Sequence, residues 1–163
     1  DNLIIGLQEN TVWNTSMGIN PYTKKISHGI KNKIPASLIS WSTVTGYFKQ
    51  VVEIINNSER PLIIVGPQHL RRIQIFKKNT KIIVPSNNCW KHEDKVQPAL
   101  ISAIEDDSNP IIIYSCSILA KNLILKNYLL FGDNVIQLDL GSNLDPYCNV
   151  ESRPWHESLN KKG

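Results

Sequence analysis

Six short runs of β-branched and aliphatic residues recur along this chain, each released into a loop of small or hydrogen-bonding residues. They are Leu3-Ile4-Ile5-Gly6, the weaker Ser37-Leu38-Ile39-Ser40-Trp41, Leu62-Ile63-Ile64-Val65, Lys81-Ile82-Ile83-Val84, Ile111-Ile112-Ile113-Tyr114 and Val135-Ile136-Gln137-Leu138. An uninterrupted apolar run has no polar face to give to water, so such strands are covered on both sides, as in a parallel sheet between helices.

Helix-length segments lie between the runs. Tyr47 to Asn56 repeats apolar residues at Phe48, Val51, Val52 and Ile55, a three-and-four spacing that makes one helical face. Leu70 to Lys78 is read as a helix carrying Ile73 and Phe76 inward. Val96 to Ile104 carries Leu100, Ala103 and Ile104, and Ser117 to Phe131 carries Leu119, Leu123, Tyr128 and Leu129. Gly132 stands where a helix would end. Strand and helix alternate, which predicts an α/β fold with a mostly parallel sheet of about six strands flanked by helices. Residues 10 to 35 break the rhythm and read as a long loop, functional or disordered.

The 163 residues are the length of one domain, 1–163. A hydrophobic share of 41% with 20% charged residues fits a globular chain and excludes a disordered one. The net charge of +4 is scattered, without the basic stripe or interleaved aromatics of a nucleic-acid binder, so no nucleic-acid partner is expected. Three widely spaced cysteines, Cys89, Cys116 and Cys148, argue against a disulfide framework and for a reducing, cytoplasmic compartment. No apolar run has transmembrane length. The first residue is Asp1 and no stop is evident after Gly163, so the chain reads as a fragment lacking its N-terminal part.

In open α/β sheets, ligands bind beyond the carboxyl ends of the strands. Here those ends are rich in small and polar residues, which suits a phosphate or a sugar held by backbone amides and helix dipoles. Gly66-Pro67 makes either a tight turn or a ligand contact. Ser115 and Ser117 flank Cys116 and either cap the next helix or hold a phosphate. Cys116 has no partner base in the sequence and reads as a small buried residue. Cys89 and His92 form a single C-x-x-H, too few ligands for zinc. His69 and His156 are possible acid–base groups, or loop residues that simply hydrogen-bond. Trp90 serves a stacking surface or the core, and Arg71 and Arg72 read as solvated surface.

The densest polar stretch runs from Asp139 to His156. Asp139 ends a strand and Asp145 follows beyond Gly141-Ser142. Both aspartates have an ordinary use, capping turns through nearby backbone amides. Arg153, with a planar fork suited to carboxylate or phosphate, favours ligand contact instead, and Trp155 and His156 would extend that surface.

Asp139-Leu140-Gly141-Ser142-Asn143-Leu144-Asp145-Pro146-Tyr147 and Ser152-Arg153-Pro154-Trp155-His156 resemble the C-terminal segment of GT-D-type glycosyltransferases. Ile63-Ile64-Val65-Gly66-Pro67, Ile112 to Lys121 and Leu3 to Gln8 add to the likeness, which spans most of the chain. The resemblance implies a Rossmann-like fold, a nucleotide-sugar donor, a glycan or glycoprotein acceptor and a divalent metal, Mn²⁺ or Mg²⁺. On this reading Gly66, Ser115 and Ser117 line the site, and Asp139, Ser142, Asp145, Arg153 and His156 contact donor or acceptor or brace the loops that do. The family's Asp-x-Glu metal motif does not occur in this sequence; Glu105-Asp106-Asp107 stands just before a strand, the wrong place. The motif would lie upstream of Asp1, and the resemblance assigns no catalytic base and no metal ligand here. The alternative from a different class is a non-catalytic sugar-phosphate or nucleotide-binding module of the same fold. No G-x-G-x-x-G follows any strand, which weakens an oxidoreductase or methyltransferase reading.

Overall fold

The computed structural model describes residues 5–7, 33–35, 38–107 and 109–156. The chain divides into two compact units, residues 1–46 and 47–163.

In the first unit, β1 (Ile5–Leu7) and β2 (Lys33–Pro35) pair in parallel, with Ile5 opposite Lys33 and Leu7 opposite Pro35. Part of the expected long loop, Lys33 to Pro35, is therefore a strand; its residues 10 to 32 lie outside the described residues. The expected strand at 37–41 is instead the start of a helix, α1 (Leu38–Thr45). Its hydroxyls explain the difference. Ser42 and Thr43 donate to the carbonyl of Ile39 at 2.7 and 2.9 Å, and Thr45 donates to that of Trp41 at 2.9 Å. Those three- and four-residue back-bonds exist only on a helical turn. Gly46, at φ +85°, follows the last turn.

The second unit is built on a four-stranded, all-parallel sheet in the order β4-β3-β5-β6: β3 (Leu62–Pro67), β4 (Thr80–Val84), β5 (Ile111–Tyr114) and β6 (Ile136–Asp139). The fold is thus α/β with Rossmann-like topology. The register sets Ile63 opposite Thr80 and Ile112, and Tyr114 opposite Asp139. The uninterrupted apolar runs mark the two central strands: every residue of β5 is buried, and so are Leu62 to Gly66 of β3. The edge strands β4 and β6 are only partly covered.

Among the described residues, three α-helices accompany the sheet: α2 (Phe48–Asn57), α3 (Glu93–Glu105) and α4 (Ile118–Phe131). Ile63, Val65, Ile112 and Tyr114 alternate onto one face, where they form a continuous core with Val96, Leu100 and Ile104 of α3 and Leu119, Ala120 and Leu123 of α4. Ile64 and Ile113 belong to the other face and are 1% and 0% exposed. Phe48 and Ile55 of α2 are buried outside that core cluster, as are Leu70, Ile73 and Phe76. Leu129, one of the apolar set read for α4, is 74% exposed.

The helix expected over 70–78 is only a short 3-10 turn, Gln68–Arg72. Beyond it, the Asn56 side chain donates to the Ile75 carbonyl at 2.8 Å and accepts from the Lys77 amide at 3.0 Å. Those are backbone groups that a helix would spend internally. Ile73 and Phe76 are still buried as the spacing predicts, each 3% exposed.

A polar chain crosses the core between α3, α4 and β6. Gln97 donates to Asn127 at 2.8 Å, Asn127 to the Tyr114 hydroxyl at 3.0 Å, and that hydroxyl to Gln137 at 2.8 Å. Gln137 in turn donates to the Ile124 carbonyl at 3.2 Å. Among the described residues, no helix is long and apolar enough to cross a membrane.

Candidate functional site at the carboxyl edge of the sheet

From β3 the chain passes to β4 on one side, while β5 and β6 lie on the other. The strand order thus reverses between β3 and β5, and such a switch point opens a crevice beyond the carboxyl ends of the strands. The loops after β3, β5 and β6 all emerge at this edge.

The loop after β3 is set by packing. A Cβ on Gly66 would stand 2.4 Å from Leu70 Cδ1 and 3.2 Å from Ser115 Cβ. The glycine therefore lets the chain turn hard against the β5 loop, and the tight-turn reading has a concrete cause. Pro67 then leads into the 3-10 turn that carries His69.

After β5, Ser115 is buried and its hydroxyl donates to the Gly141 carbonyl at 2.5 Å, tying the β5 loop to the β6 loop. Ser117 is exposed and makes no side-chain cap to α4. It sits at φ 53°, ψ −133°, a conformation that strains any residue with a Cβ by about 1–3 kcal/mol. Burial pushes the Cys116 thiol up to about 12, with Cys89 and Asp139 adding to the shift, so at neutral pH it is no nucleophile. Cys89 donates its S–H to the Cys116 carbonyl at 3.0 Å.

The loop after β6 splits the polar stretch into two groups. Asp139 is bound locally: one oxygen accepts the Gly141 amide at 3.0 Å and the other pairs with Lys121. This is the turn-capping use of aspartate. Asp145 does something different. It lies in the 3-10 stretch Gly141–Cys148 and is 5% exposed. Its Oδ1 accepts from His69 Nε2 at 2.7 Å, and its Oδ2 accepts from the Ser152 hydroxyl. The Ser152 amide donates to His156 Nδ1 at 3.2 Å. His156 is 1% exposed, rests edge-on against Trp155 with ring centroids 4.0 Å apart, and has no partner for Nε2 among the described residues. Arg153 is exposed and makes a long contact, 3.4 Å, to the Ser142 hydroxyl.

Two hollows border the segment after Asp145. One of about 330 Å³ is lined by Pro146, Asn149, Val150, Glu151 and His156. The other, about 480 Å³, is lined by Arg72, Gln74, Ile75, Tyr147, Cys148 and Asn149. The first is lined from the segment after β6 alone, and the second lies between that segment and the one after β3.

The structure therefore joins Asp145 and His156 through Ser152, joins Ser115 to the β6 loop, and leaves Ser117 and Arg153 exposed. It adds two participants beyond the residues that the resemblance places in the site: His69, read from the sequence as either an acid–base group or a hydrogen-bonding loop residue, and Ser152. The signal for His69 was its position three residues after the close approach at Gly66. Trp90 is 53% exposed, with the Lys91 ammonium 5.4 Å from its ring centroid, and so is not a core residue.

The metal implied by the resemblance finds no fitting donors in the described part of the chain. Among the described residues no group of three or more His, Cys, Asp or Glu side chains is placed to hold an ion. Asp139 and Asp145 have both oxygens engaged. No family model, no curated protein and no solved structure matches this chain.

Proposed function

We propose that the second unit is a glycosyltransferase domain that uses a nucleotide-sugar donor, with its site on the carboxyl edge of the sheet between the β3, β5 and β6 loops. The observation that carries this reading is the His69–Asp145 bond, which unites loops on either side of the switch point. A site that transfers a glycosyl group needs a place for a diphosphate and a group that handles the acceptor proton. The amino end of α4 has no acidic residue in its first turn and faces the same edge, which suits the diphosphate. The acceptor, a glycan or glycoprotein hydroxyl, would approach from the His69 side.

The test is thermal unfolding of the full chain with nucleoside diphosphates, with and without Mn²⁺. A ligand at one hundred times its Kd stabilises by about 2.7 kcal/mol. For a chain of this length that raises Tm by roughly 5–10 °C. No shift with uridine, guanosine, adenosine or thymidine diphosphate refutes the proposal.

A second reading, a non-catalytic sugar-phosphate or nucleotide-binding module, is favoured by the engagement of both Asp139 and Asp145 within the protein. It expects metal-independent stabilisation by hexose phosphates and no release of nucleoside diphosphate from any sugar donor.

A further inference from the structure

We infer that His69 is the general base of the site and that Asp145 is the residue that positions it; the inference rests on the glycosyl-transfer reading. A carboxylate only accepts hydrogen bonds, so the 2.7 Å contact to Asp145 Oδ1 fixes the proton of the neutral imidazole on Nε2. The lone pair then lies on Nδ1, which has no hydrogen-bond partner among the described residues. The ring is 23% exposed while the Asp145 side chain is 7% exposed, so the acid is enclosed and the base reaches solvent. Asp145 is itself held from behind by the Ser152 hydroxyl. A nitrogenous base, a buried orienting carboxylate and a third group that fixes the carboxylate make a constellation used for proton abstraction from a hydroxyl. Among the described residues of this cluster, Asp139 is paired with Lys121, Cys116 is held protonated by burial, and His156 is only 1% exposed.

The acceptor hydroxyl gives its proton to His69 Nδ1 while its oxygen forms a bond to the anomeric carbon of the donor. The bond from that carbon to the phosphate oxygen breaks, and its electron pair leaves with the nucleoside diphosphate. Asp145 stabilises the imidazolium, which then returns its proton to solvent. One direct displacement of this kind inverts the anomeric centre.

The experiment uses the full chain with UDP-, GDP-, ADP- and dTDP-hexoses, methyl glycosides as acceptors, and release of nucleoside diphosphate as the readout. His69→Gln is expected to lower kcat by roughly 10²–10⁴-fold with the KM for donor unchanged, and added imidazole is expected to restore part of the rate to His69→Ala but none to His69→Gln. Nitrogen-15 correlation spectra of the histidine side chains should show neutral His69 as the Nε2–H tautomer, and Asp145→Asn should erode that preference. Wild-type transfer with His69→Gln within threefold of it, or an Nδ1–H tautomer, overturns the base assignment and leaves the glycosyl-transfer reading standing. Absence of transfer by the wild type with every donor overturns the transfer reading, and the step falls with it.

Discussion

Replacing Gly66 by alanine adds one methyl group at the end of β3, and its surroundings set what that costs. The new Cβ would stand 2.4 Å from Leu70 Cδ1, 3.2 Å from Ser115 Cβ and 3.3 Å from the Ser115 carbonyl oxygen. Carbon atoms rest at about 3.5–4.0 Å. Leu70 is 1% exposed, so its methyl cannot swing out to water. Ser115 cannot retreat either: its amide donates to Val65 at 2.8 Å and its hydroxyl to Gly141 at 2.5 Å. Overpacking a rigid site costs about 1–3 kcal/mol, and these contacts place the variant in the upper half of that range. Leu70→Ala alone should cost about 2–5 kcal/mol through the space it leaves. In the double variant the added methyl is relieved of its worst contact, so the pair should be less destabilised than the sum by about 1–2 kcal/mol. Urea unfolding followed by far-UV circular dichroism measures all three. A Gly66→Ala loss below about 0.5 kcal/mol, or additivity within about 0.5 kcal/mol, would refute the packing argument.

Tyr114→Phe removes a hydroxyl that both accepts from Asn127 and donates to Gln137, leaving the buried Asn127 amide and the half-buried Gln137 oxygen without that partner; a loss of about 1–3 kcal/mol in urea unfolding is expected. The folded state holds the Cys116 thiol protonated up to about pH 12, whereas the unfolded thiol ionises near its ordinary 9.0, so unfolding releases a proton in that window. Its stabilising contribution is complete below pH 9.0 and is lost as pH rises towards 12, at about 1.4 kcal/mol per pH unit. Denaturation curves from pH 8 to 11 should steepen accordingly and flatten in Cys116→Ala. Pro98 stands inside α3, where it withholds a helix hydrogen bond; Pro98→Ala should raise stability by about 2 kcal/mol once the looser unfolded chain is allowed for, measurable as a higher urea midpoint.

How far the chain could be read in advance depended on where each segment sits. The central strands were legible because burial on both faces leaves an unbroken apolar run, as in Ile111 to Tyr114. The ends of α3 and α4 fell within a few residues of the spacing that predicted them. Segments fixed by a single side chain were not legible. Nothing near Ile75 in sequence announces that Asn56 takes its carbonyl and stops a helix there. The hydroxyls of Ser42, Thr43 and Thr45 support a helical turn where β-branching argued for a strand. At the site, the concentration of polar residues in 139–156 was visible, but its division was not. Asp139 and Asp145 look alike in sequence, and only the fold separates a turn cap from an acid that grips a histidine.

That grip spans 76 positions of the chain. His69 follows the first strand of its unit, and Asp145 follows the last. A growing polypeptide that stops short of residue 145 therefore holds every strand of the sheet, each able to find its neighbour, and still lacks the acid that orients the ring. Local contacts close early and distant ones late, because loop closure must precede their reward. The sheet can thus form before the ring is oriented: an intermediate with a well-formed sheet has no Asp145 to hold the histidine in place.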